Sequence, residues 1–170
     1  MSARLTRKFI SSAAVCGAGF AIGALVMAAR TGAAEKASTS WASKVVSWDQ
    51  AKGPVADWGE IRIHFQGETF ATKDMLTGIA VVKPGQAIHA AHRHAEEEYL
   101  VLTEGSGTWH LDGKEFPAQK GDVLYVEPWV YHGVTNTSDE PLTFVVVKYN
   151  GKGLTPPPRP NDGRPDELKR

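Results

Sequence analysis

Cysteine is almost absent from this chain: Cys16 is the only one in 170 residues, and it lies in an apolar stretch near the N-terminus. The remainder therefore has no thiol for nucleophilic attack, zinc-thiolate ligation or a disulfide, so its chemistry must use nitrogen and oxygen. An excess of charge is missing too, with 19 Lys and Arg against 19 Asp and Glu. Removing the first 34 residues takes away four cations and no anions and leaves 15 against 19. A mildly acidic domain argues against nucleic acid or an anionic membrane surface as partner. Acids are wholly absent from those 34 residues, in which Arg4, Arg7 and Lys8 precede a 21-residue stretch without a charge (9–29) and then the small residues 31–34. This is the layout of an export signal, cleaved after Ala34 so that the mature chain begins at Glu35. A retained anchor is the rival reading, since 21 residues reach the roughly 20 needed to span a bilayer. Only eight of them are Phe, Ile, Val, Leu or Met, however, which favours cleavage. Both readings deliver the domain outside the cytoplasmic membrane, periplasmic or secreted, with membrane contact only through this segment.

Length and composition suit one domain, because 170 residues with 42% hydrophobic content can bury one sizeable core and hardly two. Residues 35–60 read as a linker and an extension in which Trp41, Trp48 and Trp58 are scattered among Gly and Pro. Those aromatics would cap the open end of the fold or pack on a second subunit, as in a homodimer. Short apolar stretches follow at 61–65, 76–82, 98–102, 107–111, 123–126 and 142–149, separated by turn residues, and predict an all-β domain over 61–153. Asp112-Gly113 is a two-residue hairpin turn that would pair Trp109 with Phe116 on the inner face and His110 with Glu115 on the outer. Residues 154–170 carry five prolines, which cannot join a sheet, and read as a disordered tail.

Two clusters carry the chemistry: Gly85, His92, His94, Glu98 and Gly105, then Gly121, His132 and Asn136. Extended chain alternates faces, so His92 and His94 project from one side with tips close enough to share an ion. Glu98 cannot continue that strand, because four residues on would put it roughly 13 Å from His94. The chain must turn at 95–97, after which a strand starts with the Glu98 carboxylate beside the imidazoles, and His132 closes the site from a distant strand. Parity sets the other three histidines aside: His64 shares the outer face with Arg62, His89 is out of phase with His92 and His94, and His110 is a surface partner of Glu115.

These spacings resemble the paired motifs of the cupin superfamily, over about residues 81–148. The first motif has Gly85, the H-x-H pair, three intervening residues, Glu98 and six residues to Gly105, with one residue more than usual between Gly85 and His92. In the second, the intervals from Gly121 to His132 and from His132 to Asn136 match. Glu127 stands where the pattern has proline, with Pro128 one residue later, and Trp129 replaces the usual glycine in the loop entering the site. The resemblance implies a single antiparallel jelly-roll β-barrel. His92, His94, Glu98 and His132 would hold one divalent ion, open to water or a chelating substrate; iron, manganese, copper, nickel, cobalt and zinc all suit nitrogen and oxygen ligands.

Around that site the strand pattern turns Leu100, Leu102, Trp109, Phe116 and Val134 inward, with Trp129 and Tyr131 at the mouth, a largely apolar wall for a small organic ligand. Trp109, Phe116 and Trp129 are the candidate substrate contacts. Tyr131 is the candidate general base, since Glu97 points away and Glu96 lies in the turn. The expectation is an exported metal-dependent enzyme, dioxygenase-like in the manner of the quercetinase-like cupins, or a Lewis-acid isomerase or lyase. The alternative is a non-catalytic module that binds a small molecule or metal outside the cytoplasm.

Overall fold

The computed structural model describes residues 41–168. The leader expected over 1–34 lies outside them, and among the described residues no helix is long and apolar enough to cross a membrane. Nine strands follow one another: β1 (Val55–Ala56), β2 (Gly59–Gln66), β3 (Thr72–Val82), β4 (Glu97–Glu104), β5 (Ser106–Leu111), β6 (Lys114–Gln119), β7 (Val123–Val126), β8 (His132–Thr135) and β9 (Leu142–Gly151). All pairings are antiparallel, in a six-stranded sheet of order β1-β2-β3-β9-β4-β7 and a three-stranded sheet of order β6-β5-β8.

The core lies between the two sheets and is made by period-two alternation. Ala80 and Val82 of β3, Leu100 and Leu102 of β4, Trp109 of β5 and Leu142, Phe144 and Val146 of β9 all turn inward and are buried. The β5–β6 hairpin turns at Asp112 and Gly113, both with positive φ (48° and 77°), and pairs Trp109 with Phe116 and His110 with Glu115 in the register its turn dictates. Three strands were not among the expected stretches: the two-residue β1, β6 and β8. β6 contains Pro117, which an edge strand tolerates because its outer N–H has no ladder partner. β8 is only four residues long, with Gly133 at its second position.

A bulge between Ile63 and Phe65 leaves His64 outside the β2–β3 ladder and reverses the parity beyond it. Phe65 therefore does not share the inner face with Ile61 as simple alternation requires. It pairs opposite Thr77 and packs on Trp41, ring centroids 5.3 Å apart. Trp48 lies over Arg62 of the same strand, its ring centroid 5.4 Å from the guanidinium carbon. Trp41 and Trp48 thus cover β2, while Trp58 packs against the core.

The segment 154–168 differs from the expected disorder. It forms no strand but returns to the barrel, where Arg93 N donates to Asp166 O (3.0 Å) and Leu168 N to Ala91 O (2.8 Å). The buried Arg93 guanidinium bonds both oxygens of Asp162 (2.8 and 3.0 Å) and the Arg164 carbonyl (2.8 Å). Prolines bar a chain from a ladder, yet they also stiffen it, so that docking costs less conformational entropy. A buried Arg fork supplies the donors that fix such a segment.

Candidate metal centre

β4 begins at Glu97, after a bend at 95–96, so Glu98 is its first inward side chain. His92 sits where the chain touches β8 in a single antiparallel bridge: its N donates to His132 O (3.0 Å) and His132 N to His92 O (2.8 Å). This pairing sets the two imidazoles side by side, tilted by 46° with 4.6 Å between centroids, and His94 closes a triangle at 5.1 Å from His92 and 4.8 Å from His132. One ring nitrogen from each of the three lies within 4.8 Å of the others.

Glu98 lies beneath the triad, Oε2 3.2 Å from His94 Nε2 and Oε1 3.2 Å from His132 Nε2. The other ring nitrogens are committed: His132 Nδ1 bonds Val130 O (2.9 Å) and His94 Nδ1 bonds Glu96 O (3.1 Å). A carbonyl can only accept, so Nδ1 carries the proton in each ring. His94 Nε2 is within hydrogen-bond reach of Glu98 Oε2 (3.2 Å), a bond that requires a proton on Nε2 as well; in the neutral ring Nε2 instead presents a lone pair that a cation can take. His132 Nε2 has no hydrogen-bond partner of proper geometry despite its nearness to Glu98, and the buried Nδ1 of His92 has none either. Burial, followed by the neighbouring His89, His132 and His94, lowers the His92 pKa to about 3. Burial alone would raise Glu98, but the facing His132 and His94 outweigh it and hold the carboxyl well below the usual carboxylate range. Such a converging set of nitrogen and oxygen ligand atoms fits a divalent cation, which would satisfy the orphaned nitrogens and the carboxylate together. His92, His94 and His132 could hold a metal.

The centre opens into a cavity of about 160 Å³ whose wall includes Ile61, Leu76, Ile88, Leu100, Val134, Phe144 and Val146. His89, His92, Glu98, His132 and Lys148 supply its polar side chains. Of the expected apolar neighbours, Leu100 and Val134 line it, whereas Leu102 is fully buried in the core. The three candidate substrate contacts lie elsewhere. Trp109 is buried between the sheets, Phe116 is half-exposed on the edge strand, and together they border a separate depression with Asp122 and Val123. Trp129 turns towards the tail, its Nε1 donating to Pro157 O (2.6 Å). Its φ of 66° explains the glycine usual at this position in the resembled motif, since a bulky residue there is strained. Trp129 N donating to His94 O (2.7 Å) holds it in place.

Tyr131 is not at the mouth either. Neighbouring residues of an extended chain face opposite ways, and with His132 turned to the centre Tyr131 is buried outside it. Its hydroxyl donates to Pro165 O, and the guanidinium carbons of Arg93 (4.8 Å) and Arg164 (4.6 Å) lie over its ring. His110 is buried rather than a surface residue, bonded to Thr135 Oγ1 (2.9 Å) and 3.3 Å from Glu115. His89 is outside the triad but edge-on to His92 at 4.0 Å. Asn136 is fully buried and wholly satisfied: its amide donates to Val82 O (2.9 Å) and Glu140 O (2.7 Å) and accepts from Ser138 N and Oγ (3.0 and 2.8 Å). It ties loops together instead of facing the centre. Sequence reasoning missed Phe144, Val146 and Lys148, although alternation along β9 puts Leu142, Phe144, Val146 and Lys148 on one face.

Residues 78–148 match the family model described as a cupin domain. Gentisate 1,2-dioxygenase of a Streptomyces species is 30% identical over 82 residues, 48% of this chain and 23% of that protein. Dimethylsulfoniopropionate lyase DddW of Ruegeria pomeroyi is 35% identical over 89 residues, 51% of this chain and 57% of that protein. The chain therefore spans less than two thirds of the length of both. Among solved structures, a protein with a double-stranded beta-helix domain from Klebsiella pneumoniae superposes with a TM-score of 0.53 at 23% identity, over 66% of this chain and 95% of that one, a likeness of fold.

Proposed function

We propose, for a chain that belongs to the cupin superfamily, that it is an exported metal-dependent enzyme acting on a small organic molecule. The observation that carries this reading is the convergence of three imidazoles, one ring nitrogen of each within 4.8 Å of the others, on the buried Glu98 carboxylate. His92, His94 and His132 would hold the ion, with Glu98 as the fourth ligand. A bound divalent metal would supply Lewis acidity and positions for a chelating substrate. The main-chain carbonyls of Val130 and Glu96 orient two of the imidazoles, and the apolar wall excludes water from the substrate's hydrocarbon part. Dioxygenase-like chemistry and Lewis-acid isomerase or lyase chemistry both suit this arrangement, and the relatives include a dioxygenase and a lyase.

Elemental analysis of the purified protein tests the reading: near one equivalent of metal is expected, lost in His132→Ala and His94→Ala. Metal below stoichiometry and unchanged by those substitutions, even after reloading, would overturn it. A second reading, a non-catalytic binding module, is favoured by the acid-base groups. The Tyr131 hydroxyl is committed to Pro165 O, and Glu97 accepts from Tyr125 on the other face of β4 (3.1 Å). Tight ligand binding by the metal-loaded protein without turnover of chelating substrates would decide for it.

A further inference from the structure

The cavity wall is apolar except for its histidines, Glu98 and one cation, Lys148. Lys148 continues the inward row of β9 after Phe144 and Val146, and it stands directly between Leu76 of β3 and Glu98 of β4, both of which also line the cavity. Directly opposed residues of antiparallel strands are close enough for their side chains to meet, yet no Lys148–Glu98 ion pair forms. Both Glu98 oxygens are turned to His94 and His132 instead. Asp74 and Glu96 border a neighbouring depression beside Lys148, but among the described residues its ammonium has no ion-pair partner. An ammonium at a mostly apolar wall without a counter-ion costs desolvation that an arriving anion would offset.

We propose that Lys148 recognises a carboxylate, and that the natural ligand is a small organic acid whose carboxylate lies against Lys148 while a second oxygen faces the histidine triad. The inference rests on the metal-dependent reading of the same site and adds the substrate class. Charge supports it: three neutral imidazoles and one carboxylate leave a divalent ion near plus one, and Lys148 adds a second positive charge at the same cavity, so an anion is favoured over a neutral chelator. The volume of about 160 Å³ sets the size, below the roughly 300 Å³ at which pockets for drug-sized ligands begin.

Calorimetric titration of the zinc-loaded full-length protein with acetate, lactate, pyruvate and salicylate, each against its own carboxamide, tests the proposal. Metal content is measured on every sample first. At least one acid should bind about tenfold or more tighter than its amide, and Lys148→Met should abolish most of that preference while Lys148→Arg keeps it. A preference that survives Lys148→Met, a loss equal for acid and amide, or no preference in the wild type would each overturn the assignment with the metal in place. Wild-type protein that holds no metal would instead overturn the functional reading. The same acid-amide comparison on that metal-free protein would still decide for or against Lys148.

Discussion

His94 and His132 each give the Nδ1 proton to a main-chain carbonyl, and that one commitment turns a cluster of side chains into a site with lone pairs pointing inward. Glu98→Gln should therefore weaken metal affinity at least about tenfold, read by competition with a chromogenic chelator, because the amide keeps the shape and loses the charge. His64→Ala should leave metal content unchanged, since its ring bonds only the carbonyl of Arg62 (3.0 Å). His110→Ala should also keep the metal, yet cost roughly 1–2 kcal/mol in urea unfolding through the Thr135 and Glu115 contacts it loses. The His92 ring titrates at about 3 in the folded chain against about 6.5 unfolded, so between those values only the unfolded chain binds the proton. Stability of the metal-free protein should thus fall by about 1 kcal/mol or more from pH 7 to pH 4, and the depressed Glu98 carboxyl adds to the loss in the acid part of that window, where the unfolded carboxyl begins to bind its proton while the folded one does not. A urea midpoint flat across this range would contradict the buried neutral imidazole.

Alternation, turns and bulges work at the scale of the element. Gly105 joins β4 to β5 with φ of 79°, and a Cβ there would stand 2.5 Å from the Pro141 carbonyl oxygen and 3.0 Å from Leu142 Cα. Gly105→Ala should destabilise the fold by about 2–4 kcal/mol, measured by chemical denaturation, since both the conformation and the space are denied to a side chain. The His64 bulge is a feature that the pattern of Ile61, Ile63 and Phe65 conceals: the apolar residues alternate perfectly, and only the β3 partner shows that one position is skipped. The prolines of the C-terminal segment conceal something similar, because they announce what the segment cannot pair with and not what it docks on. Arg93 stands between the two metal-candidate histidines in sequence, points the other way and holds that segment. Arg93→Ala should open residues 154–168 to limited proteolysis while leaving metal content near its original value.

For the whole molecule, the proposed export rests on the basic, acid-free residues 1–34, and mass analysis of protein from the fraction outside the cytoplasmic membrane should find a chain beginning at Glu35; an intact Met1 terminus in a membrane fraction would favour the anchor instead. Much of the barrel was readable in one dimension. Alternating strands, turn glycines and the Asp112-Gly113 hairpin are local patterns whose period and backbone angles follow from the residues themselves. Rise per residue brought His92, His94 and, after a turn, Glu98 together, while His132 was joined to them through the resemblance to the paired motifs. Which side chains form the cavity was decided only by the tertiary structure. Trp129 and Tyr131 adjoin His132 in sequence and face elsewhere, as do Trp109 and Phe116, whereas Ile61, Leu76 and Lys148 from other strands line the cavity. A cavity wall is set by which strands lie side by side, and that order of β2, β3, β9 and β4 depends on how two sheets close over one core.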